Sequence, residues 1–188
     1  MFVIDVSENN GIIDWDAVVE AGVEGVIVRV GYGVSGTEDE MFRENANAAI
    51  AHGLKVGAYW YGYALDVEGA RKEGEHCARI IDEWGGLMEL PVFYDLEDAD
   101  HYKAKHGFAF DGEEMTEMCR AFIDACGLDC GIYASYGWLR DLIDWQSLGC
   151  AVWNAEWGDE DDLMGYAWQF SETYEIGGRC FDADIFRV

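Results

Sequence analysis

The stretch Pro91-Val92-Phe93-Tyr94-Asp95-Leu96-Glu97-Asp98 is a short apolar run that ends in closely spaced carboxylates. Because successive side chains of a strand point to opposite faces, a strand here would place Asp95 and Glu97 on one face and Leu96 on the other. Two acids would then face one site. Acids at a strand end can also be solvated loop residues in a very acidic protein. The rest of the sequence is needed to choose between a site and a solvated loop.

The length and composition indicate one folded domain. A chain of 188 residues with 51 % hydrophobic residues can bury a core and is unlike a disordered chain. Pro91 is the only proline, and no internal repeat, low-complexity tract or linker interrupts the sequence. We therefore predict a single domain over residues 1–188.

The charge balance is strongly acidic and limits the partners. The chain has 38 acidic and 12 basic residues, which gives a formal net charge of −26. Phosphate groups are bound mainly by Lys and Arg, so the balance argues against nucleic acid and against an anionic membrane as partners. A high-salt habitat or solubility alone would also account for the acidity, and the sequence does not separate these explanations.

Cysteine usage gives no sign of a disulfide scaffold or a metal site. The six cysteines include no C-x-x-C pair, and a chain of this length does not need disulfides, so we interpret them as reduced thiols. Cys126 and Cys130 with a histidine could bind zinc, but no second ligand pair has the spacing of a zinc site. We expect neither a metal nor a cofactor.

The sequence also lacks a recognisable targeting signal. Residues 1–5 have neither the basic region nor the long apolar core of a secretory signal, and no run reaches the roughly 20 apolar residues of a membrane span. We expect the protein to start in the cytoplasm, unless a leader has been trimmed, and to have no membrane-spanning segment.

Hydrophobic periodicity predicts strands that alternate with helices. Five strands are predicted at 2–6, 25–31, 55–64, the opening stretch and 131–135. Helical patterns lie at 15–21, 41–52, 66–84, 113–126 and 138–148, and the polar segment 98–111 is expected to be a loop. Three further strands, at 151–157, 166–170 and 181–186, have connections too short for full helices.

Eight strands, of which the first five alternate with helices, indicate an α/β fold closed into a barrel. In such barrels the active site lies at the C-terminal ends of the strands. Acids qualify on strand one (Asp5), strand four (Asp95, Glu97) and strand eight (Asp182 or Asp184). Closure makes strand eight a neighbour of strand one, so Asp5 and Asp182 should face each other.

A cluster of carboxyl groups favours acid-base chemistry. Mutual repulsion and desolvation both raise a carboxyl pKa, which keeps one member protonated as a general acid. Glycoside cleavage uses this arrangement. The strand rise of roughly 3.3 Å per residue does not distinguish the carboxyl spacings of retaining and inverting enzymes.

Aromatic residues near the predicted strand ends are consistent with a sugar site, which needs flat apolar surfaces. Each of them alone could be a core residue, because aromatic side chains dominate burial. Their position on the same rim as the acids favours a groove. These residues are Tyr32, Tyr61, Tyr63, Tyr133, Trp153, Trp157 and Trp168.

Several short segments together resemble family 25 of the glycoside hydrolases. They are Asp5-Val6-Ser7, Ile13-Asp14-Trp15, Arg29, Gly57-Ala58-Tyr59, the D-x-E stretch Pro91 to Glu97, Gly131-Ile132-Tyr133, Trp153 with Ala155, Trp168-Gln169 and Phe181-Asp182. The resemblance runs from residue 2 to residue 186 in the family's order. It implies a TIM-like (β/α)5β3 barrel and a lysozyme, or muramidase, that cleaves the β-1,4 bond between N-acetylmuramic acid and N-acetylglucosamine.

The resemblance also implies roles for the acids. Glu97 matches the general acid/base. Asp95 matches the aspartate thought to orient the substrate's 2-acetamido group where that group is the internal nucleophile, which is a recognised exception to two-carboxylate catalysis. Asp5 and Asp182 match the other two site acids. Asp98 falls outside the cluster, as a loop acid on the opposite face.

The resemblance further suggests residues that line the sugar groove. Tyr61 and Tyr133 resemble groove positions, and the candidate substrate-binding set is Arg29, Tyr61, Tyr63, Tyr133, Trp153, Trp168 and Asp184. Two positions depart from the family's pattern. Trp60 stands where a histidine is common, and Asp184 stands where an asparagine is common, so details of the groove should differ.

Two alternatives remain at this point. A chitinase-like family 18 enzyme also has a D-x-E at a strand end, but it places further aspartates where this chain has Leu90 and Phe93. A barrel that binds wall glycans without cleaving them is the non-enzymatic alternative, because a fold does not guarantee chemistry.

The expected partner is the glycan strand of peptidoglycan, and the expected state is a monomer acting on the cell wall. The family serves bacteria in wall remodelling and bacteriophages in lysis. The sequence does not choose between these settings, although the lack of a signal would suit a phage-type lysin released through a membrane pore.

Overall fold

A closed barrel of eight strands forms the centre of the computed structural model, which describes residues 1–187. The strands are β1 (Phe2–Val6), β2 (Gly25–Tyr32), β3 (Thr37–Glu38), β4 (Lys55–Tyr61), β5 (Val92–Asp95), β6 (Cys130–Ser135), β7 (Ala151–Ala155), β8 (Ala167–Ile176) and β9 (Arg179–Phe186). The two-residue β3 lies outside the barrel on β2. Pairing of β1 with both β2 and β9 closes the ring.

The barrel strands are parallel from β1 through β8, and only β9 runs antiparallel to its neighbours β8 and β1. The helices are α1 (Trp15–Glu20), α2 (Phe42–Ala51), α3 (Val67–Trp84), α4 (Tyr102–Lys105), α5 (Gly112–Cys126) and α6 (Tyr136–Asp141). They fill the five connections from β1 to β7, and no helix lies between β7 and β9. The predicted (β/α)5β3 barrel is confirmed.

Local sequence signals explain where the helices begin and end. Asp66 caps α3 by accepting a hydrogen bond of 2.7 Å from the Gly69 backbone N–H, and Asp111 caps α5 in the same way. Both helices end at a glycine in the left-handed conformation, Gly85 and Gly127, as expected for a C-terminal cap. These signals are why the boundaries of the two long helices could be predicted closely.

Apolar side chains cover both sides of the barrel wall, in an outer and an inner layer. The outer layer packs the helices against the strands. The inner layer fills the barrel interior with large side chains, so the barrel is a packed body with a floor rather than an open tube. The buried members of the inner layer are Val3, Ile27, Tyr59, Leu90, Phe93, Tyr133, Trp153, Ala167 and Phe186.

Four of the predicted segments differ clearly from the observed structure. The expected loop 98–111 contains the short helix α4, whose polar sequence has no apolar periodicity to reveal it. The expected helix 138–148 is divided into α6 and a 3-10 turn, Trp145–Ser147. Strands β8 and β9 extend beyond the predicted 166–170 and 181–186, because antiparallel neighbours joined by a tight Gly177-Gly178 turn continue to pair past the barrel rim.

No helix in residues 1–187 has both the length and the apolar character that crossing a membrane requires.

Gly57 on β4 marks a position where the barrel interior leaves no room for a side chain. A Cβ atom there would lie 2.7 Å from Ile27 Cδ1, 2.7 Å from Leu90 Cβ and 2.8 Å from the Pro91 carbonyl oxygen. Leu90 and Pro91, the last two of these neighbours, belong to the connection that leads into β5. Glycine at this position therefore lets the stretch that carries Asp95 pack directly on β4.

We expect Gly57→Ala to lower the free energy of unfolding by about 1–3 kcal/mol, as overpacking of a core does. Urea denaturation of the variant and the wild type measures the difference. Gly137→Ala is the matched control, because a Cβ there meets nothing within 4 Å, and α6 should tolerate or favour alanine. Equal stability of the two variants would contradict this account of the packing.

Candidate active site

A cavity of about 250 Å³ opens at the end of the barrel where the parallel strands terminate. All four sequence-predicted catalytic acids line it, and so do four of the predicted substrate-binding residues. The predicted residues at the cavity are Asp5, Asp95, Glu97, Asp182, Arg29, Tyr61, Tyr133 and Trp153. Five further lining residues, which the sequence did not single out for a site, are Ser7, Asn9, Asn10, Tyr59 and Gln169.

Strand register brings the acids together. Asp5 pairs with Asp182 across the β1–β9 seam, as the sequence predicted. Asp95, the last residue of β5, pairs with Tyr61 on β4 and Tyr133 on β6. Because β9 is antiparallel, its N-terminal half lies at the same end of the barrel as the C-terminal ends of the other strands. Asp182 reaches the cavity for this reason.

Gln169 holds Asp5 in place. Its Nε2 donates a hydrogen bond of 3.0 Å to Asp5 Oδ2, while its Oε1 accepts bonds from the Tyr133 hydroxyl at 3.0 Å and from Trp157 Nε1 at 3.3 Å. The only sequence signal for Gln169 was its place in the Trp168-Gln169 segment of the family resemblance. Its contact with Asp5 depends on β8 lying two strands from β1, which local sequence does not reveal.

Burial dominates the electrostatics of Asp5 and Asp95. Desolvation raises the pKa of the Asp5 carboxyl well above its ordinary value, and the negative charge of Asp182 raises it further. The pKa of Asp95 is raised in the same way by burial and by Glu97, while the Lys103 ammonium acts in the opposite direction. The two innermost acids therefore resist being ionised together.

Glu97 and Asp182 are less deeply buried and titrate in the range where enzymes work. Burial raises the pKa of Glu97 to about 6, against the lowering effect of Lys103 and the Tyr61 hydroxyl. Burial and the charge of Glu172 raise the pKa of Asp182 to about 6. Near that pH the cavity holds protonated and ionised carboxyl groups side by side, so it can both donate and accept a proton.

Asp95 has an acceptor with no partner. Its Oδ1 atom is buried and makes no hydrogen bond to any other described residue. Buried carboxylate oxygens are normally hydrogen-bonded, so this exception shows that the protein leaves part of the acceptor capacity of Asp95, a residue that lines the cavity, unused.

Arg29 is the positive charge at the cavity wall, but neighbouring acids already bind it. Its Nε donates to Asp39 Oδ2 at 2.7 Å, and one terminal nitrogen lies 3.0 Å from Glu8 Oε1. The guanidinium also lies over the Tyr32 ring, 5.3 Å from the ring centroid. Arg29 therefore shapes the wall rather than offering a free cation for an anionic group.

A second cavity of about 570 Å³ adjoins the first and extends the site into a groove. The two cavities share Asn9, Arg29, Tyr61 and Glu97. Tyr63 lines only the second cavity, where its hydroxyl donates a hydrogen bond of 2.8 Å to Asp100 Oδ2. Three tyrosines, Tyr32, Tyr61 and Tyr63, line this second cavity, so aromatic side chains form part of its wall.

The structure does not bring Trp168 to the groove. Its strand neighbours Ala167 and Gln169 face the barrel interior, so the Trp168 ring lies on the outer face, where Nε1 donates a hydrogen bond of 2.7 Å to the Glu156 carbonyl oxygen. Trp168 is not among the residues that line the two cavities, so its predicted place in the groove receives no support from this geometry. The predicted strand was correct, but which of its faces points inward could not be read from the position of the residue alone.

Asp184 also lies outside the cavity, beneath its floor. The side chain is fully buried, its Oδ1 accepts a hydrogen bond of 2.8 Å from Trp153 Nε1, and its Oδ2 has no partner among the described residues. Burial and the charge of Asp5 raise its pKa well above the ordinary value. Asp184 thus supports the floor rather than contacting a ligand directly.

Two other residues named from the sequence lie away from the cavity. Trp60 is fully buried on the outer face of the barrel, where its ring stacks on His76, so this departure from the family pattern does not alter the groove. Asp98 accepts hydrogen bonds from the backbone N–H groups of Lys103 and Ala104, at 2.7 and 3.2 Å. It is a loop acid outside the cluster, as expected.

The six cysteines are free thiols, as the sequence indicated. Within residues 1–187, no group of three or more histidine, cysteine, aspartate or glutamate side chains is arranged to hold a metal ion.

The model of the family described as glycosyl hydrolases family 25 matches residues 4–179 of this chain. The chain belongs to this family of glycoside hydrolases. It is 27 % identical to the autolytic lysozyme of Clostridium acetobutylicum over 97 % of its own length and 54 % of that protein. The chain therefore spans about half the length of this curated family 25 relative.

Solved structures show the same fold. The modular autolysin LytC of Streptococcus pneumoniae, in complex with a synthetic peptidoglycan ligand, superposes with a TM-score of 0.87 at 24 % identity, over 99 % of this chain and 46 % of LytC. The bacterial lysozyme of Streptomyces coelicolor superposes with a TM-score of 0.79 at 22 % identity, over 100 % of this chain and 92 % of that one. The barrel of this family 25 chain is thus the barrel of known lysozymes.

Replacement of Asp184 by asparagine tests the electrostatics below the floor. A raised pKa means that the folded protein holds a proton that the unfolded chain releases. Stability therefore falls as the pH rises from the unfolded-state value of about 4 through the raised folded-state value. Asparagine cannot ionise, so we expect the Tm of Asp184→Asn to improve relative to the wild type between pH 4 and pH 8.

Differential scanning calorimetry across this range measures the Tm difference, in which any constant cost of the new amide appears as an offset. Asp159→Asn, at an exposed acid, should keep the same difference from the wild type at every pH. A Tm difference for Asp184→Asn that is independent of pH would show that this carboxyl has an ordinary pKa.

Proposed function

We propose that this chain is a muramidase that cleaves the β-1,4 bond between N-acetylmuramic acid and N-acetylglucosamine in peptidoglycan. The observation that carries the proposal is the convergence of Asp5, Asp95, Glu97 and Asp182 on one cavity of a family 25 barrel. The names of its relatives support it, since one is an autolytic lysozyme and another, LytC, was solved with a peptidoglycan ligand.

In this proposal Glu97 is the general acid that protonates the glycosidic oxygen. A pKa of about 6 keeps the carboxyl partly protonated near neutral pH, and once it has given its proton to the leaving group the resulting carboxylate can act as the base for the attacking water. Glu97 lines both cavities, so it lies where the two halves of the groove meet. The scissile bond would lie at that junction.

Asp95 would orient the substrate's 2-acetamido group. Its carboxyl lines the cavity and has acceptor capacity that no described residue uses, so it would accept the acetamido N–H and direct the acetamido oxygen towards the anomeric carbon as an internal nucleophile. A hydrogen bond to a carboxylate strengthens as positive charge develops on the acetamido nitrogen. This interaction would therefore favour the transition state over the ground state.

Asp5 and Asp182 would stabilise the positive charge that develops on the sugar during bond cleavage. Gln169 fixes the Asp5 carboxyl before substrate arrives, and such fixed groups need no reorganisation during the reaction. Asp182, across the seam, shares this field. Their proximity also raises the pKa of Asp5, which limits how many negative charges the empty cavity carries.

The groove residues would bind the glycan strand on either side of the scissile bond. Tyr61 and Tyr63 would offer ring faces in the larger cavity, and Tyr133 and Trp153 would form the wall and floor of the smaller one. Arg29 would hold the rim in shape through its acidic partners. We also propose that the protein acts as a monomer on the cell wall.

The two alternatives receive no support from the family comparison. The match of residues 4–179 is to family 25 and not to the chitinase-like family 18. A glycan-binding barrel without activity would not need four acids around one cavity.

We expect Glu97→Gln to lower kcat by at least ~100-fold while the protein remains folded, because the variant cannot protonate the leaving group. Asp95→Asn should be severely impaired as well. Turbidity loss of purified walls measures the rate, and circular dichroism measures folding. Glu89→Gln, at an exposed acid at the opposite end of the barrel, is the matched control and should keep wild-type activity. Near-wild-type turnover by Glu97→Gln would overturn the assignment of this role.

Activity on intact walls should rise from low to moderate salt. The net charge of −26 repels a wall that carries its own negative charge, as Gram-positive walls do, and this repulsion extends over a Debye length of about 10 Å at 0.1 M salt. Wall turbidity assays at several NaCl concentrations between about 10 and about 200 mM measure how the activity depends on salt. A short soluble peptidoglycan fragment, which carries only a few charges, should show a much smaller rise. A flat or falling profile on walls would mean that the charge does not affect the encounter.

A further inference from the structure

Lys103 is a buried lysine directly behind the proposed general acid. Its side chain is 1 % exposed, although the segment that contains it was expected from sequence to be a solvated loop. Burial of an ammonium group is costly unless it is paired or hydrogen-bonded, so a lysine in this position needs a reason. No salt bridge within 4.0 Å accounts for it among the described residues.

The bonds of the Lys103 ammonium connect two strand ends. Its Nζ donates to the carbonyl oxygen of Gly62, just after β4, and to the carbonyl oxygen of Glu97 at 2.8 Å, just after β5. The first strand end leads to the groove tyrosine Tyr63. The second carries Glu97 itself. A single side chain therefore fixes the backbone from which the proposed acid projects.

Two acids keep this arrangement rigid. Glu73 on α3 accepts hydrogen bonds from the backbone N–H groups of Tyr63 and Ala64 at 2.7 and 3.0 Å, and from the Tyr94 hydroxyl at 2.9 Å. Asp98 holds the backbone N–H of Lys103 at 2.7 Å. Burial lowers the pKa of the Lys103 ammonium, and the acids around it that favour its charged form against this effect are Glu73, Asp95, Asp98 and Glu97.

We propose that Lys103 is a positioning residue for Glu97, whose buried ammonium fixes the backbone of the acid and keeps a positive charge behind the carboxyl cluster. This inference rests on the proposed role of Glu97. Arg29, the other positive charge at the cavity, is already bound by Asp39 and Glu8, whereas the Lys103 ammonium hydrogen-bonds the backbone of Glu97. The titratable and charged groups that face Glu97 are Asp5 on β1, Arg29 on β2, Tyr61 on β4, Asp95 on β5, Asp100 and Lys103 after β5, Tyr133 on β6 and Asp182 on β9.

The charge of Lys103 has a definite direction of effect. It lowers the pKa of both Glu97 and Asp95, against the burial and the like charges that raise them. Without it, Glu97 would hold its proton to higher pH, and Asp95 would ionise less readily. Both limbs of the pH profile should then move upward, since one requires Glu97 protonated and the other requires an ionised partner.

The test is Lys103→Met, which keeps a long apolar stem but removes the ammonium. Carboxyl-carbon NMR should show the Glu97 pKa rising from about 6 by on the order of one unit. The basic limb of kcat/KM on a soluble peptidoglycan fragment should move up by a similar amount, and kcat should fall about tenfold as Glu97 loses its fixed direction. If Lys103 served only the folding of the protein, Lys103→Met would lower kcat and Tm but would leave the pKa of Glu97 and the basic limb of kcat/KM unchanged. That result would overturn the proposal.

Lys105→Met is the matched control, because it removes the same formal charge two residues away at an exposed position. Solvent screens that charge, so the pKa of Glu97 should not move. Equal shifts in the two variants would mean that net charge, and not the buried ammonium, sets the pKa of Glu97. That result would also overturn the proposal.

Lys103→Gln keeps a hydrogen-bond donor without the charge, and it should shift the pKa of Glu97 as Lys103→Met does. If neither variant folds, NMR titration of the wild type still tests the proposal. The nitrogen resonance of the Lys103 ammonium should respond to pH with the same midpoint as the Glu97 carboxyl carbon, and the absence of that response would contradict the proposal.

These readouts separate this inference from the proposed function. If Glu97→Gln remained active, the function assigned to Glu97 would fail, yet the NMR titration of Glu97 in Lys103→Met would still report whether Lys103 acts on it. If Glu97→Gln lost activity while the Lys103 variants left the pKa of Glu97 unchanged, only the role of Lys103 would fail.

Discussion

The pairing of β1 with both β2 and β9 is the contact on which the cavity depends. It joins the two ends of the chain, so that Asp5 near the beginning lies opposite Asp182 near the end. An open sheet would leave these two acids on separate edges. Closure also places β5 across the barrel interior, where Asp95 completes the ring of carboxyl groups. The antiparallel direction of β9 is part of the same constraint, because it sets which half of the strand reaches the cavity.

Closing the barrel brings carboxyl groups close together, and neighbouring residues reduce the resulting repulsion. Four carboxyl groups in a partly desolvated cavity cannot all be ionised, and their pKa values are raised in consequence. Neutral Gln169 stabilises one acid by a hydrogen bond, and the buried Lys103 provides positive charge beneath the others. The cavity therefore contains carboxyl groups with different proton affinities, which is the condition for acid and base roles to be divided among them.

Sequence periodicity predicted those parts of the site that depend on local alternation. Alternation along a strand predicted Asp95 and Glu97 on one face; β5 ends at Asp95 and Glu97 follows it, yet both line the cavity. The opposition of Asp5 and Asp182 followed from counting eight strands and closing them. The outward orientation of Trp168 was not predicted, because the strand period alone does not say which face points inward and the partner strands decide that.

Lys103 was hidden for a different reason. Its segment is polar and has no periodicity, so burial of the lysine depends on a helix of four residues and on carbonyl groups from two distant strand ends. Gln169 had a family signal but no local one. In both cases the contact joins parts of the chain whose approach is known only once the barrel is closed.

The proposed cleavage breaks the β-1,4 bond so that N-acetylmuramic acid stands at each new reducing end. Borohydride reduction of fragments released from purified walls, followed by mass spectrometry, identifies the sugar at each new reducing end. The account predicts reduced N-acetylmuramic acid at these ends for the wild type and no release of such fragments by Glu97→Gln. Reduced N-acetylglucosamine at the new ends, or no cleavage by the wild type at any pH or salt concentration, would contradict it.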